Sequence, residues 1–277
     1  KRNNTSKVQE VYEEIMAVTK SQDHYAGLEL GNIFLQASLH PHHADKYIKH
    51  AARYFKDVMK RSPTNIYAAN GLAIILARKG YLKEAEDMFT ELKASDSPAP
   101  ALNLAIIKMA RKEYTAAISL YKQVLKKNGL HMPVIQEANV VVMLSKCYYE
   151  SGQLGKARKW ILRHLHANPS SVDGWFNYAV VLKALTDRAL KIQASTVQDL
   201  EVCILEMQGI APQLEALAVA PSNVKRLFSS RAAKTLAVQC TSIIDRLKDA
   251  IEEKQKSDAI IAQRSRESEA FIAAKRA

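Results

Sequence analysis

Apolar side chains recur along much of this chain at three- and four-residue spacing, in pairs of stripes separated by a short polar break. The clearest pair lies between Ile66 and Ser97. Ala69, Leu72, Ala73 and Leu76 form one stripe and Ala85, Phe89 and Leu92 the next, which predicts two amphipathic helices. Lys79-Gly80 supplies the stop between them, because glycine accepts the left-handed backbone found just past a helix C-terminus. A small Ala85 suits the place where two helices of a hairpin approach most closely, and Phe89 suits the space between one hairpin and the next.

The same order of residue types returns. Over 98–129 it is carried by Leu104, Ala105, Tyr114, Ala117, Tyr121 and Val124, and over 137–169 by Leu144, Tyr148, Gly152, Leu154, Ala157 and Ile161, stopping at Asn168-Pro169. Over 24–63 it is carried by Leu30, Gly31, Phe34, Ala51, Phe55 and Val58, stopping at Pro63. Trp175, Tyr178, Ala179 and Leu182 open a fifth, degenerate unit over 172–220. A period of about 32 to 40 residues with Gly, Ala, aromatic and Pro in one order is the signature of tetratricopeptide repeats, which an ordinary helical bundle does not reproduce. The predicted fold is therefore all-α: a tetratricopeptide-repeat right-handed superhelix, or α-solenoid, over 1–222, followed by a long extended C-terminal helix over 223–277. Val8, Tyr12 and Ile15 have second-helix spacing with no first helix before them, so 7–20 reads as half a repeat and the chain as a fragment of a longer array.

Several segments depart from the pattern. The stretch from Ala37 to Lys49 lengthens the first full repeat and holds His40, His42 and His43, with His50 beyond; without a cysteine or an i, i+4 pair among the first three, it reads as a surface insertion and not a metal site. Asn128 to Pro133 reads as a longer loop between hairpins. After Leu185 the next stripe is displaced to Val197, Leu200, Ile204 and Met207, and Gly209 and Pro212 are expected to kink or break it. Pro221-Ser222-Asn223 supplies a stop and a helix cap. From there Val224, Leu227, Phe228, Leu236, Cys240, Ile243, Ile244, Leu247 and Ile251 form one stripe with no Gly or Pro, which predicts a helix of about 50 residues, about 75 Å long at 1.5 Å per residue. Past Ile251 the apolar residues thin out, so the first half packs and the second half projects as a docking arm whose candidate contacts are Ile260, Ile261, Arg264 and Phe271.

Composition narrows the function. No apolar run reaches about 18 residues, the length that a spanning helix needs. The three cysteines, Cys147, Cys203 and Cys240, show no C-x-x-C and read as small core residues. The net charge of +12 suits an acidic partner, but the cations are spread over several helices without exposed aromatics between them, so sequence-specific nucleic-acid recognition is not expected. There is no Gly-rich phosphate loop, no metal-ligand spacing and no nucleophile elbow, so catalysis, metals and cofactors are not expected.

The remaining candidates are the side chains that the repeat register turns toward the concave groove: Tyr25, Asn32, Tyr67, Asn70, Ile74, Ile106, Lys146, Tyr149, Phe176 and Lys183. A groove that is apolar with scattered amides suits an extended or helical protein segment. A co-chaperone-like adaptor gripping acidic peptide tails is the alternative, but it needs convergent cations, and only Lys146 and Lys183 are cationic here, on different repeats.

The run Tyr67-Ala68-Ala69-Asn70-Gly71, followed by Lys79-Gly80-Tyr81 and Ala85-x₃-Phe89, resembles the large tetratricopeptide-repeat subunit of the RNA polymerase II–associated factor complex. Leu30-Gly31-Asn32 with its basic insertion, Pro169-Ser170, Phe176-Asn177-x-Ala179-x-Val181-Leu182 and Gln239-Cys240 resemble it as well. The resemblance covers nearly the whole chain and corresponds to that subunit's C-terminal repeats and the start of its extended helix. It implies a nuclear, non-catalytic scaffold that binds the other subunits of the complex and RNA polymerase II, without a membrane, and acts in transcription elongation and co-transcriptional histone modification.

Overall fold

A computed structural model describes residues 2–20, 22–128, 133–192, 195–219 and 228–276 of the chain. All regular structure among them is helical. The chain divides into two compact units, Lys1–Met132 and Pro133–Ala277.

The first unit holds α1 (Arg2–Val18), α2 (His24–Ala37), α3 (Ala44–Arg61), α4 (Ile66–Arg78), α5 (Leu82–Leu92), α6 (Ala99–Ala110) and α7 (Tyr114–Asn128). Three hairpins, α2/α3, α4/α5 and α6/α7, pack each on its neighbour. Local chemistry sets where the helices start. Asp23 Oδ1 accepts from the Ala26 N–H at 2.8 Å and Asn65 Oδ1 from the Ala68 N–H at 3.0 Å, each satisfying a donor that the first turn leaves free. Positive-φ turns end α4 and α6. At Gly80 φ is +89° and the Tyr81 N–H returns to the Leu76 carbonyl at 3.0 Å. The same turn at the end of α6 is made by Lys112, φ +63°, with the Glu113 N–H on the Lys108 carbonyl at 2.9 Å.

Small and aromatic positions of the repeat meet as the spacing predicts. Ala51, Phe55, Ala85 and Ala117 are fully enclosed, and Phe89 and Tyr121 nearly so. Enclosing a phenylalanine of this kind contributes about 1.5–3 kcal/mol each. Phe55 sits between two helices that carry glycine where it touches them, Gly31 on α2 and Gly71 on α4. The hairpins are also clipped by polar contacts. The Arg78 guanidinium donates to the Leu35 carbonyl at 2.9 Å and to Ser38 Oγ at 2.6 Å, which ties the end of α4 to the end of α2. Glu86 on α5 accepts from Lys108 and Arg111 of the next hairpin, both at 2.5 Å, and these hydrogen bonds hold its carboxyl below the usual range. The histidine-rich insertion forms one 3₁₀ turn, Pro41–His43; His43 meets Tyr47 edge-on, and His50 beyond it stacks on Phe34 at 5.2 Å.

The second unit holds α8 (Val134–Glu150), α9 (Leu154–Ala167), α10 (Val172–Lys191), α11 (Val197–Val219) and α12 (Ser230–Arg276). The α8/α9 hairpin repeats the design of the first unit. Gly152 has φ +75°, Ala157 and Ile161 are fully enclosed, and Ser145 Oγ donates to the Ala157 carbonyl at 2.9 Å where the two helices are closest. Helix α8 begins at Val134, three residues before the position expected from the repeat. Helices α10, α11 and α12 then close a common core of Leu182, Met207, Ile210, Leu214, Cys240 and Leu247. Arg158 on α9 pairs with Glu206 on α11.

Two expectations change here: α11 is not broken, and the long helix begins later than 223. Pro212 does not break α11, which runs unbroken from Val197 to Val219. The proline removes one N–H, but Met207, Ile210 and Leu214 on either side are fully buried, and this packing outweighs a single lost ladder bond. By length and composition α11 could cross a membrane, although it contains no unbroken apolar run of that length. Its buried stripe instead belongs to the core just described. Finally, the long helix starts at Ser230, with Ser229 Oγ accepting from the Ala232 N–H at 3.1 Å as its cap. The expected cap at Asn223 and the stripe positions Val224 and Leu227 lie outside the described residues, as does most of the Asn128 to Pro133 loop.

Candidate interaction grooves

In the first unit the candidate residues stand on α2, α4 and α6, first helices that lie side by side. Tyr25 is 65% exposed, Tyr67 64% and Ile106 46%, while Asn32 is exposed and Asn70 and Ile74 are half-buried. Single exposed side chains of this kind are ordinary on a protein surface; what marks these is that they stand on adjacent first helices. Tyr25 is met on one side by Tyr12 of α1, edge-on at 6.2 Å. The Asn70 Oδ1 accepts from Asn103 Nδ2 at 3.0 Å, so this amide also fixes α4 against α6.

In the second unit the remaining candidates come together. Lys146 and Tyr149 of α8 and Phe176 and Lys183 of α10 line adjoining depressions that share Val180. The first, of about 260 Å³, is floored by Val142, Phe176, Val180 and Val181. A second runs between α10 and the start of α12, along Ala232, Thr235 and Leu236. A third follows α10 past Lys183 to Arg188 and Lys191. Lys183 donates to Asp187 Oδ2 at 2.9 Å, and Arg246 approaches the same carboxylate at 3.6 Å. Lys183 is thus engaged within the chain, which argues against a pair of free cations gripping a peptide carboxylate.

Two features escaped sequence reasoning. Phe228, just before α12, stacks on Phe176 with centroids 4.2 Å apart and planes 7° apart, so the chain itself covers one face of a groove residue. The basic residues Arg188 and Lys191 were missed because α10 is 20 residues long, against 13 for α4 and 12 for α6. The signal was present in the continuing spacing Phe176, Val180, Ala184, Arg188. On α12 the arm from Glu252 is exposed almost throughout, with Ile260 at 53% and Ile261 at 62%; Arg264 is exposed, and the Phe271 side chain lies outside the described residues.

Burial shifts several titratable groups of the unit. Burial pushes the Cys147 thiol up to about 11, which keeps it protonated and unreactive at neutral pH. Burial also holds the His164 imidazole below its ordinary value; its Nε2 lies 2.8 Å from Ser171 Oγ, the cap of α10. Among the described residues no cluster of His, Cys, Asp or Glu is arranged to hold a metal ion.

Comparison with known proteins gives a repeat family and several relatives. The family described as "Tetratricopeptide repeat" matches residues 102–182. The chain is 24% identical over 254 residues to the protein CTR9 homolog of Arabidopsis thaliana, covering 87% of this chain and 23% of that protein. It is 28% identical over 195 residues to the RNA polymerase-associated protein CTR9 of Caenorhabditis elegans, covering 68% of this chain and 17% of that protein. To the RNA polymerase-associated protein CTR9 of Saccharomyces cerevisiae it is 33% identical over 137 residues, covering 46% of this chain and 13% of that protein. The chain thus spans less than a quarter of the length of these relatives, and the resemblance to the large repeat subunit is borne out by their names.

Proposed function

We propose that this CTR9-like tetratricopeptide chain is part of a non-catalytic interaction scaffold of the RNA polymerase II–associated factor complex. The observation that carries the reading is the similarity to CTR9 proteins over 87% of the chain. The structure supports it by leaving Tyr25, Tyr67 and Ile106 open on adjacent first helices and by forming a second apolar groove along α8 and α10. Such surfaces hold partners and need no chemistry of their own. In this reading the grooves receive other subunits of the complex, and the exposed half of α12 docks on the polymerase through Ile260, Ile261, Arg264 and Phe271. The setting is the nucleus, and the role is support of transcription elongation and co-transcriptional histone modification.

Co-purification of the full-length protein from nuclear extract, followed by crosslinking mass spectrometry, tests this. The expected result is crosslinks from residues flanking the grooves to other subunits of the complex, and from α12 beyond Glu252 to the polymerase. Recovery of chaperones in place of the polymerase and its associated factors would support the co-chaperone-like alternative.

A further inference from the structure

The groove of the second unit has a composition of its own. Its floor, Val142, Phe176 and Val180, is apolar and half-buried. Among the described residues its walls carry Lys146, Lys183, Arg188, Lys191 and Arg231 against Glu150 and Asp187. The Asp187 carboxylate is already engaged by Lys183 and by Arg246, which comes from α12. The charge left uncompensated along the cleft is therefore positive. An apolar floor between basic walls is complementary to a segment that is apolar on one face and acidic on its flanks.

The length and the shape of the cleft say how such a segment would lie. From Phe176 to Lys191 the α10 wall extends about 22 Å, the length of about four helical turns. The described residues of the unit form no strand and so no open sheet edge for an extended peptide to pair with, which favours a helix lying along α8 and α10. The floor is also held in place before anything binds. Phe228 stacks on Phe176, and the start of α12 walls that end of the groove, so little side-chain freedom remains to be lost on binding.

We propose that this cleft binds an acidic, amphipathic helical segment of a partner protein, with apolar residues at i, i+4 and i+7 on the floor and aspartates or glutamates against Lys146, Arg188, Lys191 and Arg231. The proposal rests on the scaffold reading given above and adds the chemistry of one partner.

Fluorescence polarisation on the intact chain tests it. The probe is a labelled helical peptide of about 16 residues with leucines at that spacing and glutamates on the flanks, compared with versions carrying lysine for glutamate or serine for leucine. The acidic peptide is expected to bind at least about tenfold tighter than either, a difference easily resolved. Arg188→Glu with Lys191→Glu should weaken it by a similar factor with the melting temperature unchanged, and so should Val180→Glu. Lys49→Glu with Lys56→Glu, on exposed α3 positions outside this unit, should not. Absence of binding, equal binding of the acidic and basic peptides, indifference to the cleft variants, or tighter binding of an oligouridylate probe than of the peptide would overturn the proposal. Co-purification separates the two levels. Intact assembly without peptide binding removes this inference alone, while peptide binding without assembly supports the cleft and removes the scaffold reading.

Discussion

Gly71 on α4 lies so close to the Phe55 ring on α3 that a Cβ there would stand 2.6 Å from its Cε2 and Cζ atoms. Gly31 on α2 holds the opposite edge, where a Cβ would stand 2.5 Å from Cε1. The ring is fully enclosed and cannot swing away from both. Gly71→Ala would gain about 1 kcal/mol of helix propensity, but overpacking costs about 1–3 kcal/mol, so the net expectation is a loss of up to about 2 kcal/mol. Denaturant unfolding should show this loss, and Phe55→Leu in the same chain should recover part of it. A stabilised Gly71→Ala protein would mean that the ring is not wedged.

The same argument applies inside the hairpins. Ala85 and Ala157 have no exposed surface; Ala85 lies in the hairpin core and the Ala157 carbonyl accepts from Ser145 of the partner helix. Replacing either with leucine should cost about 1–3 kcal/mol, read as a lower unfolding midpoint. Unchanged midpoints for both variants would show that the register assigned to the repeats is wrong.

Lys112 occupies, with φ +63°, the turn position that glycine holds at Gly80 and Gly152. The left-handed backbone costs a non-glycine residue about 1–2 kcal/mol, while glycine loses about 0.5–1 kcal/mol more chain entropy on folding. Lys112→Gly should therefore stabilise the protein by about 0.5–1 kcal/mol, and Gly80→Ala should destabilise it by about 1 kcal/mol. Thermal unfolding of the two variants should move in opposite directions; a shift of the same sign would contradict the assignment of this turn.

Burial of His164 sets a pH dependence. The unfolded chain takes up a proton near the ordinary histidine value of about 6.5, and the folded chain does so only at a lower pH. Between these values the unfolded state binds more protons, so stability present above about pH 6.5 is lost as the pH falls toward the folded value. Both tryptophans, Trp160 and Trp175, lie in the same unit, so their fluorescence reports its unfolding. Unfolding midpoints taken between pH 7.5 and 5.5 should fall for the parent protein and fall less for His164→Gln. Equal slopes would show that another group carries the effect.

The hairpins were legible in the sequence because close approach dictates side-chain size. Ala85 beside Phe89, and Ala157 beside Ile161, announce a helix pair whatever lies around them. Proline was a poorer guide. Pro63 and Pro169 follow helices as expected, but Pro212 sits inside one, since its neighbours' burial decides the matter and burial cannot be read locally. The turn at Lys112 gave no signal because it lacks the glycine that marks its equivalents. For the grooves, helical register assigned Tyr67 and Phe176 to first-helix faces, but not what else would reach them. Phe228 is far from Phe176 in sequence, and only the fold of α12 against α10 brings their rings together.

The scaffold claim is tested most directly by measuring how strongly the assembled complex retains the protein when its exposed groove side chains are removed. Tyr25 and Tyr67 suit this, because both are about two-thirds exposed and their loss leaves the core intact. Tyr25→Ala with Tyr67→Ala, introduced into the full-length protein, should leave the melting temperature within about 2 °C of the parent, as surface changes do. Affinity for the remaining subunits of the polymerase-associated factor complex should fall by about tenfold or more. Undiminished affinity in a folded double variant would contradict a scaffold that works through this groove.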